Sequence, residues 1–288
     1  MKAAIYSQKK DLDTFLYLNK FISELTKRGV KPILYEQLFI DLEFSKEFST
    51  FKDKKDLETE KVDFFFSFGG DGTILNALIF IQDLEIPVIG VNTGRLGFLA
   101  SFGKEDVFAN IDKILNREMN ISKRSVLEIQ SAGDTIDFPY ALNDFSVSRN
   151  ETTSMITIET HINEQFLTYY WGDGLIISTP TGSTAYSLSC GGPIISPGNG
   201  ILSLTPIAPH NLNVRPIVLR DDIEITLKVE SRVPQYSLSL DSRLYHMKND
   251  DVITVKKADF QLILMHPKDL SFFKTLRQKL LWGKDKRN

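Results

Sequence analysis

A glycine-rich turn between an apolar run and a helical pattern constrains this chain more than any other feature. Residues 67 to 76 read Ser-Phe-Gly-Gly-Asp-Gly-Thr-Ile-Leu-Asn and follow the largely apolar run 62–66. That run is short and rich in aromatic and β-branched residues, which is typical of a buried strand in a parallel sheet. Apolar residues at helical spacing follow the turn. The pattern predicts a strand, a turn that carries Asp71, and a helix that begins near Thr73.

The turn has the composition of a phosphate-binding loop formed by Gly69, Gly70, Gly72 and Thr73. Glycine allows positive φ and lets backbone N–H groups approach a ligand closely, and the N-terminus of the next helix attracts an anion. A carboxylate there repels phosphate unless it accepts a proton or holds a metal ion, so Asp71 is a candidate catalytic residue. The alternative is that Asp71 only caps the helix, which is a common use of Asp.

Composition excludes several classes of protein. The 288 residues are 42% hydrophobic and 25% charged, which suits two globular domains. The net charge of −3 argues against a protein that binds a nucleic-acid backbone. Cys190 is the only cysteine, so an intrachain disulfide is excluded. The N-terminus opens into a strand pattern, and no apolar run approaches the ~20 residues that cross a bilayer. We expect a soluble, cytoplasmic protein without a membrane partner.

Histidine spacing gives no sign of a zinc site. The four histidines never stand at the i, i+4 spacing of a helical metal site. Asp and Glu remain available for Mg²⁺, which needs few protein ligands when phosphates supply the others. We therefore predict no fixed protein ligand for a metal.

The first 120 residues alternate short apolar strands with helical patterns, which predicts an α/β domain with a doubly wound parallel sheet. The predicted strands are Ala3–Tyr6, Pro32–Tyr35, Val62–Phe68 and Ile86–Val91, and the predicted helices include Leu12–Lys27 and Lys104–Glu118. Residues 36–61 fit this rhythm less well and are either a helix or a mobile surface insertion. Their lysine-rich run is interpreted as a solvated face.

The rest of the chain changes in character. Residues 121–266 are rich in alternating polar and apolar segments, which predict a second, all-β domain. Residues 267–288 contain a final helical pattern up to Leu281, which we expect to pack back on the first domain. The predicted organisation is therefore 1–120, 121–266 and 267–288.

Two polar segments interrupt the β-rich region. The first runs from Trp171 through Asp173 to a stretch rich in Ser and Thr at 178–189. It predicts a strand followed by a helix N-terminus with O–H and N–H donors, which suits a polyol or a nucleotide, although a capped helix alone is an equal alternative. The second is Asn143-Asp144, a pair that suits two vicinal ribose hydroxyls but is also common in turns.

Taken together, these motifs resemble the NAD kinase family. The resemblance rests on Gly69–Thr73, Asn143-Asp144 and Thr181–Ser187, in the order and approximate spacing of that family. It extends to Asn92–Leu99, Pro209-His210 and the ending His266–Asp269, and so covers nearly the whole chain. The Gly-Gly-Asp-Gly element is shared with 6-phosphofructokinases and diacylglycerol-type lipid kinases, whereas the Thr-Gly-Ser-Thr-Ala-Tyr segment is more specific.

The resemblance implies an enzyme that transfers the γ-phosphoryl group of ATP, or in some relatives of polyphosphate, to the 2′-hydroxyl of the adenosine ribose of NAD, giving NADP. It implies that Asp71 is the general base and that Mg²⁺ or another divalent cation accompanies ATP. It also implies a homodimer or homotetramer built largely through the β domain, with NAD and ATP as small-molecule partners.

The resemblance further assigns a set of residues to NAD binding. They are Asp71, Gly72, Asn143, Asp144, Asp173, Thr184, Ala185, Tyr186, Ser187, Leu188, Ser189, Ala208 and Arg243. Three positions depart from family patterns. Trp171 stands where some relatives carry a basic residue, Ser154 where some carry histidine, and Arg243 where glutamine is frequent. Arg95 is either a phosphate contact or a surface arginine that supports its own loop.

Two other functions remain open at this point. One keeps phosphoryl transfer but changes the acceptor to a lipid or a sugar, since the Gly-Gly-Asp-Gly element is shared. The other is a catalytically silent NAD(P)-binding regulator, against which the intact Asp71 and its glycines argue.

Overall fold

The computed structural model describes residues 1–41, 48–94, 97–133, 136–150, 154–249 and 251–281. The chain divides into two compact units. The first contains Met1–Lys123 together with the residues from Leu262 onward, and the second contains Arg124–Gln261. The sequence placed boundaries after residues 120 and 266, a few residues from these.

The first unit is a parallel sheet with helices. Its strands are β1 (Lys2–Ser7), β2 (Lys31–Tyr35), β3 (Ser49–Phe51), β4 (Phe64–Gly69), β5 (Val88–Asn92) and β6 (Phe102–Gly103). Its helices up to residue 115 are α1 (Leu12–Lys27), α2 (Glu36–Asp41), α3 (Lys54–Glu60), α4 (Asp71–Ile81) and α5 (Lys104–Leu115). The strands run in the order β3-β2-β1-β4-β5, and all neighbours are parallel. The predicted doubly wound α/β sheet is confirmed.

This strand order fixes where a ligand site is expected. The chain moves outward from β1 through β3 and then returns to the other side of β1 with β4, so the order reverses between β1 and β4. In open α/β sheets, ligands bind at the carboxyl ends of the strands beside such a reversal. The turn after β4 is the glycine-rich turn of the sequence analysis.

Aromatic packing explains why the run before that turn forms a buried strand. Phe64, Phe66 and Phe68 belong to one apolar cluster, in which Phe66 and Phe68 each lie 5.0 Å from the ring of Phe21 on α1. Phe65 instead lies 5.7 Å from Phe51, in a different aromatic group. Because β4 buries side chains on both faces, its sequence is apolar except for the buried Ser67 rather than alternating.

The prediction for residues 36–61 was incomplete. The structure has a short helix α2, the edge strand β3, which pairs in parallel with β2, and the helix α3. Residues 42–47 lie outside the described part. The strand was missed because Ser49–Phe51 has only three residues, too few for an alternating pattern to stand out.

The second unit contains two antiparallel sheets. Its strands are β7 (Asn120–Ser131, which begins in the first unit), β8 (Tyr140–Ala141), β9 (Asp144–Ser148), β10 (Ile156–Ile162), β11 (Gln165–Gly172), β12 (Gly174–Ser178), β13 (Ile201–Ile207), β14 (Ile217–Arg220), β15 (Ile225–Glu230), β16 (Gln235–Leu240), β17 (Arg243–Lys248) and β18 (Val252–His266). One sheet runs β14-β13-β12-β9-β16-β17, and β11, β10, β15 and β18 form the other with β7 and β8. Their apolar faces form one core. The predicted all-β region is confirmed.

The end of the chain returns to the first unit, as predicted. Beyond the second unit, β18 continues and pairs in parallel with β5, where Leu264 faces Val88. A final helix, Phe272–Leu280, follows, and Ser271 caps it by accepting the N–H of Lys274. The helix begins later than predicted because residues 267–270 form a turn. The basic tail lies outside the described residues. Over the described ranges, no helix is both long enough and apolar enough to cross a bilayer.

Candidate active site

The turn after β4 carries Asp71 at the junction with the next helix, as predicted, but its glycines do not have the positive φ that the sequence suggested. Asp71 is the first residue of α4, and Gly70 is the N-cap, which has no side chain to accept the first N–H groups of the helix. None of Gly69, Gly70 and Gly72 has positive φ. Gly69 is required for space instead, since a Cβ there would lie 2.0 Å from Oγ1 of Thr73. Gly70 and Gly72 face open space, with no atom within 4 Å of a built Cβ.

The carboxylate of Asp71 accepts hydrogen bonds from the backbone of residues 98–100 and not from the backbone of its own helix. Its Oδ2 accepts the N–H of Phe98 at 2.7 Å, and its Oδ1 accepts those of Leu99 at 3.0 Å and Ala100 at 2.9 Å. The alternative interpretation of Asp71 as a helix cap is therefore wrong. A carboxylate has about four acceptor positions, so roughly one remains unoccupied.

Close packing fixes the position of this carboxylate. A Cβ on Gly97 would lie 1.9 Å from Oδ1 of Asp71, so only glycine fits there without displacing the carboxylate. The family-like segment Asn92–Leu99 therefore contributes glycine and N–H donors to the site. Arg95, the phosphate candidate in that segment, lies outside the described residues.

In the second unit, the Asn143-Asp144 pair stands where β9 begins. Thr179 holds its backbone from one side, because its N–H donates to the carbonyl of Asn143 at 2.9 Å and its Oγ1 donates to the carbonyl of Leu142 at 2.6 Å. Among the described residues, neither the Asn143 amide nor the Asp144 carboxyl group has a hydrogen-bond partner. The hydrogen bonds of Thr179 thus fix the backbone of this pair, whereas the two side chains take no part in them.

A second buried carboxyl group lies beside this pair. Burial and the nearby charge of Asp241 raise the pKa of Asp144 to about 7. The pKa of Asp241 is also raised by burial, although three backbone N–H groups and Arg243 oppose that rise. Sequence reasoning assigned no role to Asp241.

Asp173 is paired with an arginine that the sequence analysis did not consider. Nε of Arg149 lies 2.7 Å from Oδ1 of Asp173, and the N–H of Arg149 donates to the Asp173 carbonyl at 2.9 Å. Trp171, which replaces a basic residue of some relatives, packs instead on His210 with ring centroids 4.2 Å apart. The positively charged side chain beside Asp173 is therefore that of Arg149, which directly follows β9.

The hydroxyl-rich stretch forms a 3-10 turn, Gly182–Thr184, and a four-residue helix, Tyr186–Ser189. The hydroxyl of buried Ser187 is shared with Thr205 at 2.9 Å, whereas Tyr186 is 47% exposed. Part of this predicted binding set thus supports the turn, and part faces outward. Thr184, Ala185 and Leu188 are partly exposed and Ser189 is exposed.

The last two predicted residues, Ala208 and Arg243, lie next to β13 and on β17. Ala208 follows β13 with φ of 42°, and a Cβ on Gly172 would lie 3.0 Å from its carbonyl. Arg243 donates through Nη2 to the carbonyl of Tyr140 and lies over the ring of Phe138 at 4.8 Å. Arg243 therefore already has protein partners, unlike the side chain of Asn143.

No protein metal centre is found over the described ranges: no group of three or more His, Cys, Asp or Glu side chains there is arranged to hold a metal ion.

Solved structures share this fold. One is yeast NADH kinase complexed with NADH, with a TM-score of 0.89 and 24% identity, covering 99% of this chain and 88% of that one. Another is an NAD kinase from Archaeoglobus fulgidus in complex with ATP, with a TM-score of 0.76, 24% identity and coverage of 98% and 99%. The fold is that of the nicotinamide dinucleotide kinases.

Sequence comparison is more specific. The family model for the ATP-NAD kinase N-terminal domain matches residues 18–119, and that for the C-terminal domain matches 142–266. Relatives named NAD kinase include those of Christiangramia forsetii, 45% identical, and Flavobacterium psychrophilum, 43% identical, each matched over 100% of both chains. The chain belongs to the NAD kinase family, and its activity is the phosphorylation of NAD.

Proposed function

We propose that Asp71 is the general base that assists transfer of the ATP γ-phosphoryl group to the 2′-hydroxyl of the adenosine ribose of NAD. In this step, the hydroxyl oxygen bonds to the γ-phosphorus while the bond from that phosphorus to ADP breaks. The hydroxyl proton passes to the carboxylate. An alcohol is a poor nucleophile, and a base placed near its proton typically contributes 10²–10⁴-fold to the rate.

The observation that carries this proposal is the fixed carboxylate of Asp71. Hydrogen bonds from Phe98, Leu99 and Ala100 hold it in one orientation and leave roughly one acceptor position open. Gly70 and Gly72 leave the neighbouring backbone open to a ligand. This arrangement supports a positioned base beside a phosphate-binding helix N-terminus.

The dinucleotide is proposed to bind the second unit. The side chains of Asn143 and Asp144, which have no hydrogen-bond partner within the described ranges, are proposed to hold ribose hydroxyls, and Asp173 is proposed to lie near the nicotinamide end. The remaining proposed binding residues are Gly72, Thr184, Ala185, Tyr186, Ser187, Leu188, Ser189, Ala208 and Arg243, with Gly69, Gly70 and Thr73 in the phosphate loop.

A divalent cation, proposed to be Mg²⁺, is expected to bind through the phosphates of ATP. It would offset the charge of the transferring phosphoryl group. Removing divalent cations with a chelator is expected to abolish turnover, and adding Mg²⁺ back is expected to restore it. Full turnover in excess chelator would refute this requirement.

We propose that the chain forms a homodimer or homotetramer in the cytoplasm. Two exposed aromatic side chains on the edge strand β11 support this proposal. Phe166 and Tyr169 are 53% and 57% exposed, and their ring centroids lie 5.0 Å apart. Exposed apolar edges are common places for subunit contact. Light scattering after size exclusion should give a dimer or tetramer mass that falls in Phe166→Ser/Tyr169→Ser. A monomeric wild type would contradict the proposal.

The decisive experiment is an assay for NADP formation with Asp71→Asn, comparing ATP with polyphosphate and NAD with NADH. We expect kcat to fall by about 10²-fold or more, with NAD binding by calorimetry retained. Asp13→Asn, an exposed position in α1, is the matched control. Near-normal kcat in Asp71→Asn would exclude Asp71 as the base.

A further inference from the structure

Asp241 binds the backbone on which the proposed ribose ligands stand. Its Oδ1 accepts the N–H of Asn143 at 2.7 Å and that of Asp144 at 3.4 Å, and its Oδ2 accepts the N–H of Leu142 at 3.0 Å. The N–H of Asp241 donates in turn to the carbonyl of Asp144 at 2.9 Å. A residue almost a hundred positions away thus contacts three successive peptide groups.

Thr179 completes this arrangement from the other side. It donates to the carbonyls of Leu142 and Asn143, while Asp241 accepts the N–H groups, so the peptide is held through both kinds of backbone polar group. A Cβ on Gly182 would lie 2.1 Å from the Asn143 carbonyl oxygen, so close packing also prevents the peptide from shifting toward that turn. The directions of the Asn143 and Asp144 side chains follow from this fixed backbone.

The hairpin turn by itself does not account for Asp241. The residue joins β16 to β17, where Leu240 faces Arg243, and it has φ of 54°. Asn or Gly satisfies such a turn equally well, and neither brings a charge. An Asp whose carboxyl group is buried beside a second carboxyl group is costly, so a use for that group is expected.

We propose that Asp241 is a positioning residue for NAD binding, which fixes the peptide 142–144 so that Asn143 and Asp144 point at the ribose. This inference rests on the proposed function of Asn143 and Asp144. Asp241 itself does not touch the substrate in this proposal. It acts by limiting the orientations of the two side chains before NAD arrives, which lowers the entropy lost on binding.

The test measures KM and kcat in Asp241→Asn and Asp241→Ala. Asn keeps one acceptor oxygen and tolerates positive φ, but it places an NH₂ group near at least one N–H donor. We expect the KM for NAD to rise about tenfold or more in Asp241→Ala and less in Asp241→Asn. The KM for ATP should change less than twofold and kcat less than about threefold. Asp259→Asn, an exposed position on β18, is the control.

Amide hydrogen exchange provides a readout that does not depend on activity. The N–H groups of Leu142, Asn143 and Asp144 should exchange faster in Asp241→Asn, while the core strand β12 keeps its protection. Unchanged exchange at these three groups in a folded variant would overturn the proposal. An unchanged KM for NAD would also overturn it. So would a fall in kcat accompanied by equal rises in the KM for NAD and the KM for ATP.

Asn143→Ala separates this inference from the proposed function on which it rests. If Asn143→Ala and Asp144→Asn leave the KM for NAD unchanged, the proposed ribose contact fails and the inference fails with it. If they raise the KM while Asp241→Ala does not, only the inference about Asp241 fails.

Discussion

Gly97 leaves no room for a side chain beside Asp71, because a Cβ there would lie 1.9 Å from the aspartate Oδ1. The same segment donates three N–H groups to that carboxylate. The position of the proposed base therefore depends on a glycine that lies 26 residues away in the sequence and after the next strand.

Gly97→Ala is expected to displace Asp71 without changing its charge. Overpacking of this kind typically costs about 1–3 kcal/mol of unfolding free energy, and we expect kcat to fall by more than tenfold. Urea denaturation and the NADP assay measure the two effects. Gly94→Ala is the control, since a Cβ there meets only Oδ1 of Asn92 at 3.8 Å. Normal kcat in Gly97→Ala would show that the exact position of Asp71 is unimportant.

Protonation of Asp144 is expected to make stability depend on pH. Its pKa is raised to about 7 in the folded protein, so between about pH 4 and 7 the folded state holds a proton that the unfolded state has lost. The free energy of unfolding should therefore fall as the pH rises through this window, by up to about 1.4 kcal/mol per pH unit. Asp144 interacts electrostatically with Asp241, Tyr186 and Cys190, and Asp241 interacts in turn with Arg243.

The measurement compares the wild type with Asp144→Asn by urea denaturation from pH 4.5 to 8. The variant should lack the part of this slope that Asp144 contributes, although Asp241, whose pKa is also raised, remains in both proteins. The variant should therefore gain stability over the wild type as the pH rises. Carboxylates with lowered pKa values, such as Glu24 and Asp112, change stability in the opposite sense and in a more acidic range. They are present in both proteins and cancel in the difference. A difference that stays flat across the range would contradict the raised pKa.

Arg149→Gln is expected to weaken NAD binding while leaving stability almost unchanged. The Arg149–Asp173 pair is about one-third exposed, and such ion pairs contribute about 0–1 kcal/mol. We expect the KM for NAD to rise several-fold because Asp173 loses its orienting partner. Arg220→Gln, which breaks the exposed pair with Asp222, is the control and should leave both quantities unchanged. Equal KM values in the two variants would argue against a role for Arg149.

Ser187→Ala is expected to act on stability. The change leaves the buried Thr205 hydroxyl without its 2.9 Å partner, which typically costs about 1–3 kcal/mol. Ser189→Ala, at an exposed position two residues later, should change the unfolding free energy by less than about 0.5 kcal/mol. Thermal denaturation of both variants tests this difference, and equal melting temperatures would contradict it.

The local features of the fold were predictable because they depend on neighbouring residues. The run before Gly69 is apolar without alternation, which indicated a strand buried on both faces, and the helical spacing after Thr73 indicated α4. The partners of Asp71 and Asp144 were not predictable in the same way. Phe98 reaches the Asp71 carboxylate, and Asp241 reaches the backbone of Asp144, only through the tertiary fold, and a single sequence contains no local pattern for such contacts.

The glycines give a second example of what the sequence alone does not identify, namely the physical reason for a residue. The sequence suggested that Gly69 provides positive φ, whereas the structure requires glycine there for clearance from Thr73. Both reasons select the same residue type, so composition cannot distinguish them. Arg149 was missed because it lies 24 residues before Asp173 in the sequence and meets it only through the tertiary fold.

The pairing of Leu264 with Val88 has a consequence for biosynthesis. Strand β5 lies within the first hundred residues, yet one of its neighbours, β18, comes much later in the chain. The nascent first unit therefore presents an incomplete sheet edge until β18 has been synthesised, and unpaired edges promote aggregation. Truncating the gene before codon 262 would leave that edge open permanently, so expression of the truncated chain should yield insoluble protein.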